Sequence, residues 1–510
     1  MSSESTGRST WKSRSGFILA AIGSAVGLGN IWRFSYLTYE NGGGAFLIPY
    51  LVALFTAGIP LLILEFGIGH ERIGSAPLAF SKIGRRWEWL GWWPLMFTMF
   101  GIVLYYAVVI AWCIDFIFYS INLSWGDDPE AFFFQSFLNL SSSPAEIGSI
   151  QTPILAGLLV VWLITWGISV RGVSRGVELA NRIFMPLLLI LTLILVFWSV
   201  TLEGAMVGIA AYLQPDFTKL ADPMVWISAY GQIFFTLSLG FGIMIAYASY
   251  MPQNSNMTGS ALITALANSG FSLLSGFGVF AVLGFMSVSR NQPLDEVVRE
   301  SIGLAFVAYP KAISLIGDAG PLFGMLFFLS LTVAGISSSI SIVEAFVSGA
   351  EDKFGINRKM LSTVLCFLGF VGGIIFTTNG GLFWLDIVDH FINNYGLVVA
   401  GLLECIVVGW FFNLDIIRKH LNKVSNLQLG IWWNWVIKLC LPLFLSVILL
   451  NQLIRELFTA YGDYSWASLI GIGWSWIGIT FLVSFILAVQ PWKTQRHLEK
   501  GRGEELLPPV

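Results

Sequence analysis

The chain has 510 residues; 56% are hydrophobic, and its 27 basic and 30 acidic residues amount to only 11%. Soluble proteins carry about 25% charged residues, and a single globular core of this length cannot hide so much apolar surface from water. These proportions exclude a soluble enzyme and a disordered scaffold, and a net charge of −3 offers nothing to nucleic acid: the chain reads as an all-α membrane protein in a lipid bilayer.

Residues 1–13 are polar and basic and read as a cytoplasmic N-terminal segment. The apolar run that follows reaches Arg33 without an A-x-A-like cleavage site, so it is a retained first span rather than a removed signal. Apolar runs separated by charge or turn clusters predict twelve transmembrane helices, at 14–38, 44–70, 91–122, 152–171, 179–201, 225–250, 259–287, 321–350, 360–378, 382–412, 430–456 and 466–490. Twelve spans of about 20–25 residues take up about 240–300 residues, which matches the apolar content. Lys and Arg orient them. Twenty lie in one set of connections and five in the other, so both termini, including the tail 491–510, are expected in the cytoplasm. The loop 121–151 holds no Lys or Arg and is expected outside.

Transporters with internal repeats often interrupt corresponding helices of their two halves. Gly23, Gly27 and Gly29 in span 1 correspond to Gly240 and Gly242 in span 6 if spans 1–5 (14–201) and 6–10 (202–412, with its outer loops) form a 5+5 inverted repeat. Spans 11 and 12 (413–490) would then be two additional C-terminal helices. Glycines so spaced also let helices pack closely. The polar Asn30, Thr236 and Ser238 beside them favour unwound backbone, which is tolerated at membrane depth where it lines a cavity. Half-helix ends there offer N–H groups to an anion and carbonyls to cations.

Ionisable residues inside spans are functional candidates by default: Arg33, Glu65, Asp115, Glu344, Asp386, Asp389 and Glu404. Span 8 adds a run of hydroxyls, Thr332, Ser337, Ser338, Ser339 and Ser341. Neutral hydroxyl, amide and carbonyl oxygens suit a monovalent hard cation; sodium fits that chemistry without being the unique choice. The four cysteines lie in apolar runs without zinc-site spacing, and the four histidines stand singly, so no nucleophile–base constellation supports an enzyme.

The strings GSAVGLGNIWRF (Gly23–Phe34), ENGGGAFLIPY (Glu40–Tyr50), GQIFFTLSLGFG (Gly231–Gly242) and AGISSSISI (Ala334–Ile342) resemble the neurotransmitter:sodium symporters, most of all their bacterial amino-acid members. The resemblance runs from about Arg8 through span 10; spans 11 and 12 match in hydropathy alone. It implies sodium-coupled symport by alternating access, with two sodium sites. The first would use the Ala25 carbonyl, the Asn30 and Asn268 amides and Thr236, completed by the substrate carboxylate. The second would use the carbonyls of Gly23, Val26 and Ala334 with the hydroxyls of Ser337 and Ser338. The carboxylate would also meet the N–H groups of Leu28 and Gly29 and the Tyr106 hydroxyl. The ammonium would meet carbonyls of Ala25, Phe235 and Thr236 with the Ser238 hydroxyl. The substrate side chain would enter a pocket of Ile102, Val109, Phe235, Phe241, Ser338 and Ile342. Gly27 stands where amine carriers of the family have an aspartate, which implies a substrate bringing its own carboxylate. The uncharged pocket favours a neutral, small to medium aliphatic amino acid, with aromatic ones still open.

The same resemblance implies an outer gate of Arg33 and Asp389 with Phe235 as lid, Asp386 competing with Asp389, and an inner gate of Arg8 and Asp352 helped by Trp11. One departure is informative. Bacterial members carry a glutamate one turn after the sodium-binding Asn, where this chain has Ser272, as chloride-dependent animal carriers do. Tyr50, Gln232, Thr236 and Ser272 would form a chloride shell, unless Glu65 supplies the charge instead. The cysteine-free loop 121–151 and short tails imply a prokaryotic-type carrier in the cell membrane, a bacterial inner membrane. An amino-acid sensor or channel on the same scaffold is the alternative.

Overall fold

The structure, a computed structural model, describes residues 10–298 and 301–494. Among the described residues there is no strand, only two isolated bridges, Gly43 with Pro215 and Ile150 with Thr378. The membrane-embedded helices are α1 (Arg14–Ala25), α2 (Leu28–Glu40), α3 (Gly44–Arg72), α4 (Arg85–Ile121), α5 (Thr152–Ser169), α6 (Val173–Val200), α7 (Pro223–Thr236), α8 (Ile243–Ala248), α9 (Met257–Arg290), α10 (Gly317–Phe354), α11 (Arg358–Thr377), α12 (Gly381–Phe411), α13 (Ile431–Phe458) and α14 (Trp466–Val489).

Ten of these are long and apolar enough to cross a membrane, and α1 with α2 makes an eleventh as a pair bent by 52°. The chain is a multi-pass membrane protein. The sequence predicts twelve spans; where the sixth is expected the chain forms α7 and α8, 14 and 6 residues long, each too short to cross a membrane alone. Helix starts follow side-chain capping: Ser13 accepts from Gly16 N ahead of α1, and Asn256 accepts from Gly259 N ahead of α9.

Burial separates a centre from a periphery. In α4 and α10, 83% of the most apolar window is buried, against 17% in α13 and 22% in α14. The inner helices form the core of the molecule, and the last two are mostly exposed, although Gln452, Arg455 and Glu456 of α13 reach the central cavity. Cys113, Cys366 and Cys405 are buried, but Cys440 in α13 is exposed. Where α3 passes α8, a Cβ on Gly69 would lie 2.0 Å from the Ile245 carbonyl oxygen, so only glycine permits that approach.

Polar contacts fasten the end of the molecule that carries Trp11 and the segment after α14. Trp11 is 4% exposed and its Nε1 donates to Tyr247 O at 2.8 Å. Buried Lys353 pairs with Glu88 and donates to the carbonyls of Leu487 and Ala488 at the end of α14. Beyond α14, Trp492 Nε1 donates to Glu88 Oε2 at 2.9 Å, and the Thr494 hydroxyl donates to Asp352 O. An amphipathic helix, Leu414–Val424, lies between α12 and α13; its His420 Nε2 is 2.9 Å from His70 Nδ1.

Candidate functional site

Two helix breaks meet at the centre. After α1 the backbone is extended at Val26 and Gly27, and α2 begins where Asn30 Oδ1 accepts from Gly27 N at 2.8 Å. After α7 the chain turns through Ser238, Gly240 and Gly242 at φ of +53°, +74° and +72° before α8. Glycine takes that left-handed region freely; Ser238 is held in it while its Oγ donates to Ser24 O at 3.1 Å, tying one break to the other. Glu65 on α3 accepts from Gly240 N at 2.7 Å, so a buried carboxylate satisfies an amide the break has released.

The breaks open onto a cavity of about 970 Å³. All the residues assigned to substrate line it: Ala25, Gly27, Leu28, Gly29, Ile102, Tyr106, Val109, Phe235, Thr236, Ser238, Phe241, Ser338 and Ile342. Leu28 N donates to the Tyr106 hydroxyl at 3.3 Å, so the start of α2 and this phenol form one polar corner suited to a carboxylate. A Cβ on Gly27 would come 2.9 Å from the Tyr106 hydroxyl, so any side chain at 27 would invade that corner. The Phe235 carbonyl, expected for the ammonium, already accepts from Ser238 N at 3.0 Å and has one lone pair to spare.

Residues assigned to each cation come into contact. Asn30 Nδ2 donates to Asn268 Oδ1 at 2.9 Å, and Asn268 Nδ2 donates to Thr236 Oγ1 at 3.2 Å. The second set joins Ser337 Oγ to Gly23 O at 2.5 Å and Ser338 Oγ to the carbonyls of Gly23, Val26 and Ala334 at 3.3–3.5 Å. These are oxygen donors on uncharged groups, which fits a monovalent cation.

The residues assigned to an anion are buried. Asn30 Nδ2 also donates to Ser272 Oγ at 2.8 Å, and Tyr50 OH donates to Ser269 Oγ at 3.2 Å. Both side-chain polar atoms of Gln232 are buried without a hydrogen-bond partner. A buried primary amide with nothing to bond is costly and suits an anion that accepts from its N–H.

The outer gate candidates share the cavity wall. The Arg33 guanidinium lies 4.9 Å from the Phe235 ring centroid. Asp389 Oδ1 accepts from Tyr105 OH at 2.6 Å and from Asn393 Nδ2 at 2.8 Å. Asp386 instead accepts from Tyr461 and Tyr464 in the connection between α13 and α14. At the other end of the molecule Asp352, in the last turn of α10, is 1% exposed and accepts from Ser75 N at 3.0 Å. Arg8 lies outside the described residues. Glu344 holds Arg358 and accepts from Tyr250 OH. The sequence reading passed over Tyr105 and Ser269; each adjoins a residue it named or a span it marked, but nothing in LYYAVV or ANSGFS separates them from packing residues.

Comparison with known proteins gives a consistent picture. The chain matches the family described as the sodium:neurotransmitter symporter family over residues 8–129 and 126–498. It is 48% identical to an uncharacterized sodium-dependent transporter of Methanocaldococcus jannaschii, over 94% of this chain and 97% of that protein. It is 30% identical to the sodium-dependent dopamine transporter of Caenorhabditis elegans (93% and 86% covered). It is likewise 30% identical to the sodium- and chloride-dependent neutral and basic amino acid transporter B(0+) of Mus musculus (95% and 85%).

Proposed function

The chain belongs to the sodium:neurotransmitter symporter family, a family of sodium-dependent transporters rather than enzymes, and from this we propose that it carries a neutral, small to medium aliphatic amino acid into the cell with two sodium ions. The observation that supports this most is the polar corner of Leu28 N and Tyr106 OH beside the Asn30–Asn268–Thr236 cluster, on one cavity. A substrate carboxylate bound in that corner completes the shell of the first cation, so each stabilises the other. The pocket walls Ile102, Val109, Phe241 and Ile342 offer apolar surface to an uncharged side chain.

Twelve spans, with α1–α2 and α7–α8 as the first and sixth, are read as two inverted repeats of five (14–201 and 202–412) plus α13 and α14. Both termini are cytoplasmic, in a prokaryotic cell membrane. The cavity wall extends to Tyr461 and Tyr464, on the side the charge count assigns to the exterior, so this conformation faces outward. Closing the path draws Arg33, Phe235 and Asp389 together above the substrate; opening the inner path separates Asp352 and Trp11 from their partners, with Arg8 as the counterpart of Asp352. Chloride at Tyr50, Gln232, Thr236 and Ser272 offsets the second positive charge.

One sodium ion moving through about 100 mV gives about 2.3 kcal/mol, and a tenfold gradient adds about 1.4. Two ions therefore supply about 7 kcal/mol, enough for about five decades of accumulation. The test is uptake of each of the twenty amino acids into proteoliposomes with an inward sodium gradient. Accumulation of a neutral amino acid that collapses with the gradient is the expected result. Binding without uptake would identify a sensor, and current far above substrate flux a channel; either overturns the reading.

A further inference from the structure

A hydroxyl that gives its lone pair to a cation must aim its proton elsewhere. At the second sodium set, Ser337 Oγ donates to Gly23 O at 2.5 Å, and that carbonyl is itself assigned to the ion. A cation drawing on Gly23 O would meet the Ser337 proton unless another acceptor took it. One stands ready on a helix that neither sodium assignment includes. Asn181 of α6 is 0% exposed, and its Oδ1 lies 3.1 Å from Ser337 Oγ.

The orientation of that amide is fixed. Asn181 Nδ2 donates to Val177 O at 2.9 Å, and a carbonyl can only accept, so Oδ1 must face Ser337. Val177 ends the π-type turn Val173–Val177 that opens α6. The fit against α1 is close: a Cβ on Gly23 would fall 2.0 Å from Asn181 Oδ1 and 2.5 Å from Ser337 Oγ. Ser338 is placed differently: its Oγ lies among the carbonyls of Gly23, Ser24, Val26 and Ala334, and its side chain also bonds Tyr106.

We infer that Asn181 is a positioning residue for the second sodium ion: its Oδ1 accepts the Ser337 hydroxyl's hydrogen bond when the ion binds, turning the hydroxyl lone pair toward the ion and linking α6 to the occupancy of a site built by α1 and α10. The inference rests on the reading of that site as a sodium site. A neutral amide does this without adding charge to the site.

The experiment is binding of radioactive sodium ion to the purified full-length protein, fitted to two sites, for Asn181→Leu, Asn181→Asp, Ser337→Ala and the double variant Asn181→Leu/Ser337→Ala. Leucine keeps the volume without the acceptor; aspartate keeps the acceptor. One of the two sites should weaken about tenfold in Asn181→Leu, the order expected for one lost hydrogen bond to a liganding group. Asn181→Asp should restore most of it, and Asn181→Leu should change nothing further once Ser337 is alanine. Equal affinity in Asn181→Leu and the unaltered protein would overturn the inference. So would full additivity in the double variant, which would mean that Asn181 acts independently of Ser337. If Asn181→Leu does not fold, Asn181→Ala carries the same comparison. An unaltered protein that binds no radioactive sodium would overturn the symporter reading instead, so the two failures are distinct.

Discussion

Ser272→Glu plants a fixed negative charge at the anion position. The size of its effect follows from one shared side chain. Asn30 Nδ2 donates both to Ser272 Oγ at 2.8 Å and to Asn268 Oδ1 at 2.9 Å, so the anion position and the first cation cluster flank a single amide, about 5 Å apart by hydrogen-bond geometry. At an effective dielectric of about 20, unit charges at about 5 Å attract by about 3 kcal/mol, or about two decades of sodium affinity. The introduced carboxylate also finds a donor at hand, since Asn30 Nδ2 already donates to the oxygen at this position. The assay is sodium activation of uptake in proteoliposomes, with chloride or gluconate as the anion. The unaltered protein should require at least tenfold more sodium in gluconate, and Ser272→Glu should respond alike in both. An unaltered protein indifferent to chloride, or a glutamate variant still stimulated by it, would refute the reasoning.

Asn268→Ala should weaken both sodium and substrate, and should reduce equally the factor by which each ligand tightens the other, because coupling between two ligands is reciprocal; substrate binding titrated at several sodium concentrations checks this, and an undiminished sodium dependence would count against a shared shell. Gly69→Ala drives a methyl to 2.0 Å from the Ile245 carbonyl; helix α8 must shift, at a cost of about 1–3 kcal/mol, read as a lower melting temperature in detergent. Burial, with His70 and Lys423 nearby, holds His420 down to about 4, below its ordinary 6.5. Between those values the unfolded chain takes up a proton that the folded one refuses, so stability falls as pH drops from about 6.5 toward 4. Thermal unfolding at pH 7 and pH 5 should show this loss in the unaltered protein and a smaller one in His420→Leu.

Much of the architecture was legible because a bilayer writes itself into sequence as length and apolarity. Ten uninterrupted spans and the bent first one follow from hydropathy. The break after α7 was legible through Gly240 and Gly242, which occupy backbone conformations other residues avoid. Ser238 shares that conformation and gives no such signal. What pattern could not show is what folding brings together from far apart. His70 and His420 each read as solitary, yet their rings share a hydrogen bond across 350 positions. Asp352 falls just past the predicted end of span 8 at residue 350, yet it lies buried in the last turn of α10. Cys440 lies in an apolar run like the other three cysteines, yet it alone of the four is exposed because α13 is peripheral. Asn181 sits in ELANRIFM next to Arg182, where an asparagine suggests nothing more than the edge of a span.

The fastening of Lys353 sets a practical limit on shortening this chain. Removing everything after Val489 would strip Trp492 from Glu88 and Thr494 from the Asp352 carbonyl, leaving an ammonium and a carboxylate with less cover beside the proposed inner gate. A reporter or affinity tag fused at the C-terminus should therefore be joined beyond residue 494, and a trimmed version ending at the last apolar residue would confound any comparison of gating with the full-length carrier.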